Sequence, residues 1–208
     1  IRYEMDIIEK CHMEEYFILD YKIVNKAINE YNGMLTKTGR GSAVSFYINK
    51  LLGLTQIDRL KSPITLYPTR FMSTERILAT RSLPDIDLNS PSRDEFIKAT
   101  EDLLGEENCG WMLAYKYLQD SSGFRLYCKS IDMKVEEYDE VAKNLDDYRD
   151  NPKWKDIIEE SKHFVGVVES IAPSPCSMLL YSKPLRREIG LLKSKDGIVV
   201  NIDGYHTD

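Results

Sequence analysis

The chain has 208 residues, of which 42% are hydrophobic and 30% charged, and its formal net charge is −6. This length supports one good-sized core or two small ones, and no apolar run is long enough to span a bilayer. The acidic balance argues against a dedicated nucleic-acid-binding module, although it leaves open a catalytic core whose DNA contacts come largely from other domains. The opening residues, Ile1–Asp6, show neither a starting Met nor a signal peptide, so we expect a fragment of a longer chain.

The cysteines and histidines show no spacing typical of a metal site. They lie far apart, at Cys11, Cys109, Cys128, Cys176, His12, His163 and His206. We therefore expect reduced, structural thiols in a cytoplasmic protein and no zinc centre or disulfide framework.

The first half of the chain predicts helices that alternate with short strands. Two helices open it, and the second places five apolar residues on one face: Phe17, Tyr21, Val24, Ile28 and Tyr31. A strand at 34–36 leads through a glycine turn into a buried helix at 43–52. A strand at 83–88 is followed by a helix that begins with a capping box, Ser92–Glu95, and ends at Leu104.

The second half predicts a helical segment and then strands. The predicted helices are 111–120, 135–145 and 153–161. The predicted strands are 164–168, 178–181 and 198–202, with a hairpin turn at 195–197.

Two carboxylates, Asp85 and Asp87, stand one residue apart in an apolar run. On a strand they would share a face, while Leu83, Ile86 and Leu88 would fix the strand. Like charges on one surface repel each other unless a cation or protons lie between them. A divalent metal site explains the pair, and an ordinary solvated pair at the end of a strand is the alternative.

A second motif, Lys37–Ser42, carries two glycines between a predicted strand and a predicted helix. Glycines let the backbone approach an anion closely, and the following helix would present free N–H groups. Arg40 adds a permanent charge, and the Ser42 hydroxyl is a donor for a phosphate oxygen. The motif is not a Walker A loop, and a plain tight turn is the alternative interpretation.

A phosphate-binding turn followed by a two-carboxylate strand is typical of a nucleotidyltransferase. Such chemistry uses two divalent ions about 3.5–4 Å apart, one at the nucleophile and one at the leaving oxygen. A third carboxylate usually completes the metal cage.

The chain resembles bacterial replicative DNA polymerases of the C family, the DNA polymerase III alpha subunits, in order and spacing over its first half. The matching motifs are RYEMDII at 2–8, YFIL at 16–19, GRGSA at 39–43, LGLTQID at 52–58, RFM at 70–72, ER at 75–76, LPDID at 83–87 and RDEFI at 93–97.

The resemblance implies an α+β fold, a polymerase-beta-like nucleotidyltransferase palm with a mixed sheet, flanking helices and an inserted helical thumb. The palm would comprise residues 1–110 and 163–208, and the thumb residues 111–162. The implied partners are primer-template DNA and dNTPs, together with a sliding clamp and other replisome subunits that bind through regions outside this chain. No membrane contact is implied.

By the same resemblance, Asp85 and Asp87 are the first two metal-binding catalytic aspartates. The implied cofactor is a pair of Mg²⁺ ions, with Mn²⁺ as a substitute. The residues implied to bind the dNTP phosphates are Gly39, Arg40, Gly41, Ser42 and Arg76.

Several positions depart from the family pattern. Thr38 stands where the family usually has Pro, and residues 77–82 form a short insertion. Residues 118–123 lack two arginines of the family's thumb, and a basic segment is replaced around Glu169 and Pro173–Ser174. Because such cations contact the DNA backbone, these changes predict weaker DNA binding by this half.

The family's third catalytic aspartate would fall just beyond Asp208, and neither Asp203 nor Asp208 matches its position. We therefore expect the isolated 208-residue chain to be inactive. Two alternatives stay open: a degenerate, non-catalytic palm that acts as a binding module, and another polymerase-beta-like nucleotidyltransferase.

Overall fold

The computed structural model describes residues 1–204 and divides the chain between Cys109 and Gly110 into two compact units. Asp208 lies outside the described residues. Within the described part, no helix combines the length and apolar composition needed to cross a membrane.

The first unit is built from helices joined by extended segments. Its α-helices are α1 (Arg2–Cys11), α2 (Glu14–Glu30), α3 (Tyr47–Leu51), α4 (Thr74–Thr80) and α5 (Asp94–Leu104). Its single turns of 3₁₀ helix are Ala43–Ser45, Pro68–Arg70 and Glu106–Asn108. The predicted strand at 34–36 does not form, and the predicted helix at 43–52 is divided into a 3₁₀ turn and the short α3.

Three phenylalanines form the centre of the first core. The ring centroids of Phe46 and Phe71 are 5.1 Å apart, and that of Phe17 lies 6.1 Å from Phe46. Full burial of each ring contributes roughly 1.5–3 kcal/mol. The other buried members of this core are Ile7, Ile8, Met13, Ala43, Ile48, Met72 and Ile77.

The predicted apolar face of α2 is partly wrong. Tyr21 and Ile28 are exposed, whereas the buried residues of this helix are Phe17, Ile23, Val24 and Ala27. Helix α2 packs against α5, and at that contact Lys26 and Tyr31 both bind the carboxylate of Asp102. Contacts with the first core and with the distant helix α5 therefore determine which face of α2 is buried.

The predicted capping box at Ser92–Glu95 does not form, because the N-cap of α5 is Arg93 and the two side chains bond to each other, whereas the predicted end at Leu104 is confirmed. The Asp94 N–H donates to the Ser92 hydroxyl, which in turn donates to the Glu95 carboxylate at 2.5 Å. The helix ends at Leu104, and the next residue, Gly105, has a positive φ of 93°.

In the described part of the second unit, four strands form one mixed sheet. They are β1 (Cys109–Tyr117), β2 (Val168–Leu180), β3 (Leu191–Ser194) and β4 (Gly197–Asp203). Their order is β2-β1-β4-β3, in which β1 runs parallel to β4, and β3 runs antiparallel to β4. The predicted strand at 198–202 and the hairpin before it are confirmed.

Two predicted elements of this unit are wrong. The segment 111–120 is mainly strand, because β1 buries Met112 and Leu113 in the sheet and its tyrosines favour extended backbone. The predicted strand at 164–168 contains the end of a 3₁₀ turn and Gly166 at φ +82°, so β2 begins only at Val168.

Helices lie between β1 and β2 along the chain. They are α6 (Asp120–Ser130), α7 (Val135–Lys143), α8 (Leu145–Tyr148) and α9 (Lys155–Ser161), and α10 (Leu185–Glu188) follows β2. The ring centroids of Phe124 and Trp154 lie 6.1 Å apart in their shared core. The predicted helices at 135–145 and 153–161 are confirmed, and the mixed α/β content agrees with an α+β class.

One buried carboxylate connects three segments of the first unit. Glu4 on α1, only 1% exposed, accepts the Ile48 N–H at 2.9 Å and pairs with the Arg59 guanidinium at 2.8 Å. Removing one partner of such a pair leaves the other polar groups buried without compensation.

We expect Glu4→Ala to lower the free energy of unfolding by about 3 kcal/mol in urea titrations. The control is Lys61→Ala, because Lys61 is 86% exposed and forms only a 3.9 Å ion pair with Asp58. That variant should change stability by less than ~0.5 kcal/mol. Equal effects of the two substitutions would contradict the buried-pair account.

Candidate nucleotide and metal site

The segment that carries Asp85 and Asp87 is extended but belongs to no sheet. Residues 81–90 form neither helix nor strand, so the predicted strand at 83–88 is wrong. Its neighbour is the segment around Thr36, whose N–H donates to the Asn89 carbonyl at 2.7 Å. A single backbone hydrogen bond between the two segments does not form a β-ladder.

The side chains of residues 85–87 alternate between two faces, although the segment forms no β-ladder. Ile86 packs against the first core, whereas Asp85 and Asp87 on either side of it are exposed. The predicted fixing role of Leu83 and Leu88 is wrong, because these side chains are 60% and 37% exposed. Ile86 is therefore the apolar side chain that anchors the acidic segment.

The backbone just before Asp85 is held by α2. The Tyr16 hydroxyl donates to the Pro84 carbonyl at 2.5 Å, and Pro84 is itself buried. Burial raises the pKa of Tyr16, and the nearby carboxylates of Asp20 and Asp85 raise it further. The hydroxyl therefore keeps its proton and stays a donor. No feature of the sequence alone indicated this contact between residues 68 positions apart.

The glycine turn lies directly against the acidic segment. Gly41 has φ +69°, and a Cβ placed there would collide with the carboxylate of Asp87. A Cβ on Gly39 would press on Val44 Cγ1 at 2.7 Å and on Ile57. The structure therefore brings together two motifs that the sequence separates by more than 40 residues.

A polar contact fastens the other side of the same turn. The Asn89 side-chain amide donates to the Thr38 hydroxyl, which lies 2.8 Å from the Thr36 hydroxyl. Thr38 is the residue that departs from the family's Pro. In this chain its hydroxyl connects the turn to the end of the acidic segment.

Two expectations about the phosphate site need correction. Only a 3₁₀ turn, Ala43–Ser45, directly follows the glycine turn, so no long helix N-terminus faces an anion there. The Arg76 guanidinium donates to the backbone carbonyls of Arg70 and Phe71, so part of its donor capacity is already used. The candidate donors for a phosphate are the backbone N–H groups of the turn, Arg40, Ser42 and those N–H groups of Arg76 that these two bonds do not use.

The acidic pair has the chemistry of a divalent-cation site. Asp85 and Asp87 accept no hydrogen bond and form no ion pair among residues 1–204. Hard oxygen ligands without cationic partners suit Mg²⁺, which is commonly held by one or two carboxylates plus substrate phosphates. No group of three or more His, Cys, Asp or Glu residues suited to a metal ion occurs in the described part of the chain. Within the described residues, the pair thus offers two carboxylates as candidate ligands.

Comparison with known proteins places these motifs in a family context. Residues 1–175 match the family described as the bacterial DNA polymerase III alpha NTPase domain. The chain is 24% identical to DNA polymerase III subunit alpha of Bacillus subtilis across 95% of its length, and 21% identical to that of Chlamydia trachomatis across 97%. Identity to the Mycoplasma genitalium subunit is 30% across 70% of the chain. The chain spans 14–19% of the lengths of these three relatives.

Asp20 on α2 gives the first unit a pH-dependent stability. Burial raises the pKa of its carboxyl from 3.8 to about 6. The folded state therefore holds this proton more tightly than the unfolded state does. Asp20 contributes stability that is complete below about pH 4 and is lost as the pH rises through about 6.

We expect Asp20→Asn to stabilise the chain by about 2 kcal/mol at pH 8, because it removes a desolvated charge. The advantage should disappear at about pH 3, below the unfolded-state pKa of 3.8, where the carboxyl is largely neutral in both the folded and the unfolded state. Urea unfolding at the two pH values measures the difference in free energy of unfolding. The control is Asp6→Asn, because Asp6 is exposed. A stabilisation that does not change with pH would contradict the assigned cause.

We expect Gly41→Ala to displace the Asp87 carboxylate and to weaken Mn²⁺ binding by the chain about tenfold or more. Gly53→Ala is the matched control, because Gly53 has φ +75° with open space where a Cβ would lie. In both variants the free energy of unfolding should fall by about 1 kcal/mol, because alanine is strained at a positive φ. Electron paramagnetic resonance of free Mn²⁺ measures the affinity. An equal loss of Mn²⁺ affinity in both variants would contradict a specific collision between residue 41 and Asp87.

Proposed function

The chain belongs to the bacterial DNA polymerase III alpha family, and on this premise we propose that it forms part of the catalytic core of a DNA-directed DNA polymerase. The reaction is attack of a primer 3′-hydroxyl on the α-phosphate of a dNTP, with release of pyrophosphate. The observation that carries the proposal is the close approach of Gly41 to the Asp87 carboxylate. It supports one site in which a phosphate-binding turn and metal-binding carboxylates act together.

Each group of the site has a separate part in this proposal. Asp85 and Asp87 are the protein ligands for two Mg²⁺ ions, for which Mn²⁺ can substitute. When bound, the ions would supply activation of the attacking hydroxyl and stabilisation of the leaving oxygen. Since the pair projects into solvent from an anchored segment, its oxygens are available to ions that also contact a triphosphate.

The glycine turn holds the triphosphate. Gly39 and Gly41 keep the backbone free of side chains, so that its N–H groups can approach phosphate oxygens. The Ser42 hydroxyl adds a donor, and the exposed Arg40 guanidinium neutralises charge. Arg76 contributes with the donors left after its two bonds to backbone carbonyls.

The proposed domain plan keeps residues 1–110 and 163–208 as palm and residues 111–162 as thumb. Strand β1 pairs with β4, so within that plan the helical part of the insertion begins at α6. Primer-template DNA, dNTPs, a sliding clamp and other replisome subunits are the proposed partners, and the cytoplasm is the proposed location.

We expect Asp85→Asn and Asp87→Asn each to weaken Mn²⁺ binding by the 208-residue chain at least ~10-fold. Asp156→Asn, which removes an exposed carboxylate of α9 that the proposal does not use, should bind as the native chain does. In the complete gene product, Asp85→Ala or Asp87→Ala should abolish primer extension. Near-normal extension by either variant would refute the catalytic assignment and favour the non-catalytic binding module.

A further inference from the structure

Tyr16 makes a long-range contact that none of the proposed steps uses. Its hydroxyl donates to the Pro84 carbonyl at 2.5 Å, although the residues are 68 positions apart. The ring is half-buried against the first core and stands edge-on to Phe17, with centroids 5.6 Å apart and an interplanar angle of 87°. The donor is therefore held on a packed helix.

The accepting carbonyl controls the orientation of Asp85. Because a peptide unit is planar, fixing the Pro84 oxygen also fixes the plane that contains the Asp85 nitrogen. Residues 81–90 have no strand ladder to do this. At the far end of the segment, the Asn89 carbonyl is held by the Thr36 N–H at 2.7 Å.

The interior of the segment is held by the packing of Ile86, whose backbone also interacts with the Tyr16 hydroxyl. The half-buried Ile86 side chain packs against the core, whereas Asp85 and Asp87 make no hydrogen bond or ion pair with residues 1–204. Two like charges side by side repel each other, and without a cation they would tend to separate by rotating the backbone. A hydrogen bond at Pro84 opposes that rotation next to the first carboxylate.

We propose that Tyr16 is a positioning residue, whose hydrogen bond to Pro84 holds Asp85 and Asp87 in the arrangement that binds a divalent cation. This inference rests on the proposed function, since it assumes that the two carboxylates are metal ligands. Tyr16 itself contacts neither substrate nor metal.

The test compares two Tyr→Phe variants of the 208-residue chain. Tyr16→Phe keeps the packed ring and removes only the hydroxyl, with its bond to the Pro84 carbonyl and its interaction with the Ile86 backbone. Tyr31→Phe is the matched control, because the Tyr31 hydroxyl also contacts an acceptor across the unit, Asp102 Oδ2 at 3.1 Å, away from the acidic segment. Mn²⁺ affinity is measured by electron paramagnetic resonance, and the Asp85 amide is followed by ¹⁵N–¹H correlation spectra without metal.

We expect Tyr16→Phe to weaken Mn²⁺ binding about 3–10-fold, the change that loss of one hydrogen bond of ordinary strength produces. The Asp85 amide resonance should shift in the same variant, because its peptide plane loses a partner. Tyr31→Phe should alter neither quantity. Both measurements are made well below each variant's unfolding temperature, so that a change in global stability does not enter the comparison.

The outcomes separate this inference from the function on which it rests. Native Mn²⁺ affinity in Tyr16→Phe, with or without a shift of the Asp85 resonance, overturns the positioning role and leaves the metal site intact. Native affinity in Asp85→Asn shows that the carboxylates are not the ligands, which overturns the proposed function and this inference together. Equal losses in both Tyr→Phe variants would show a general effect of stability and would also overturn the positioning role.

Discussion

The missing side chain at Gly41 is the constraint on which the site depends. Its backbone, at φ +69°, lies so close to Asp87 that any Cβ would collide with the carboxylate. This contact joins a turn suited to phosphate with a segment suited to a divalent cation. Neither motif is specific alone, since a glycine turn and a pair of aspartates are both common. Their contact supports the proposal of one site for a metal ion and a phosphate together.

The acidic segment keeps its two carboxylates exposed because other groups hold its backbone. Ile86 packs against the core, the Tyr16 hydroxyl donates to the carbonyl before Asp85, and the Asn89 amide donates to Thr38 in the turn. A strand in a sheet would achieve the same alternation through a ladder of hydrogen bonds. Here a few separate contacts replace the ladder, so each of them has more influence on the site. The position of Thr38 shows how a departure from the family's Pro can gain a specific contact.

Local signals in the sequence predicted local structure well. Gly105 marked the end of α5, and the turn before β4 marked the hairpin. The sequence also predicted Asp85 and Gly41 as site residues, and the structure brings their two motifs together. Long-range packing decided the rest: β1 pairs with β4, far along the chain, and overrides a pattern that favoured a helix. The sequence did not indicate the Tyr16 contact, since no local pattern distinguishes Tyr16 from another tyrosine on α2.

The central claim is that the glycine turn and the acidic pair form one metal-dependent nucleotide site. Crystals of the chain grown with Mn²⁺ and a dNTP test it directly, through the anomalous scattering of manganese. We expect an anomalous peak about 2–2.3 Å from carboxylate oxygens of both Asp85 and Asp87, with the triphosphate against Gly41 and Ser42. A bound nucleotide elsewhere, or manganese that contacts neither aspartate, would contradict the account.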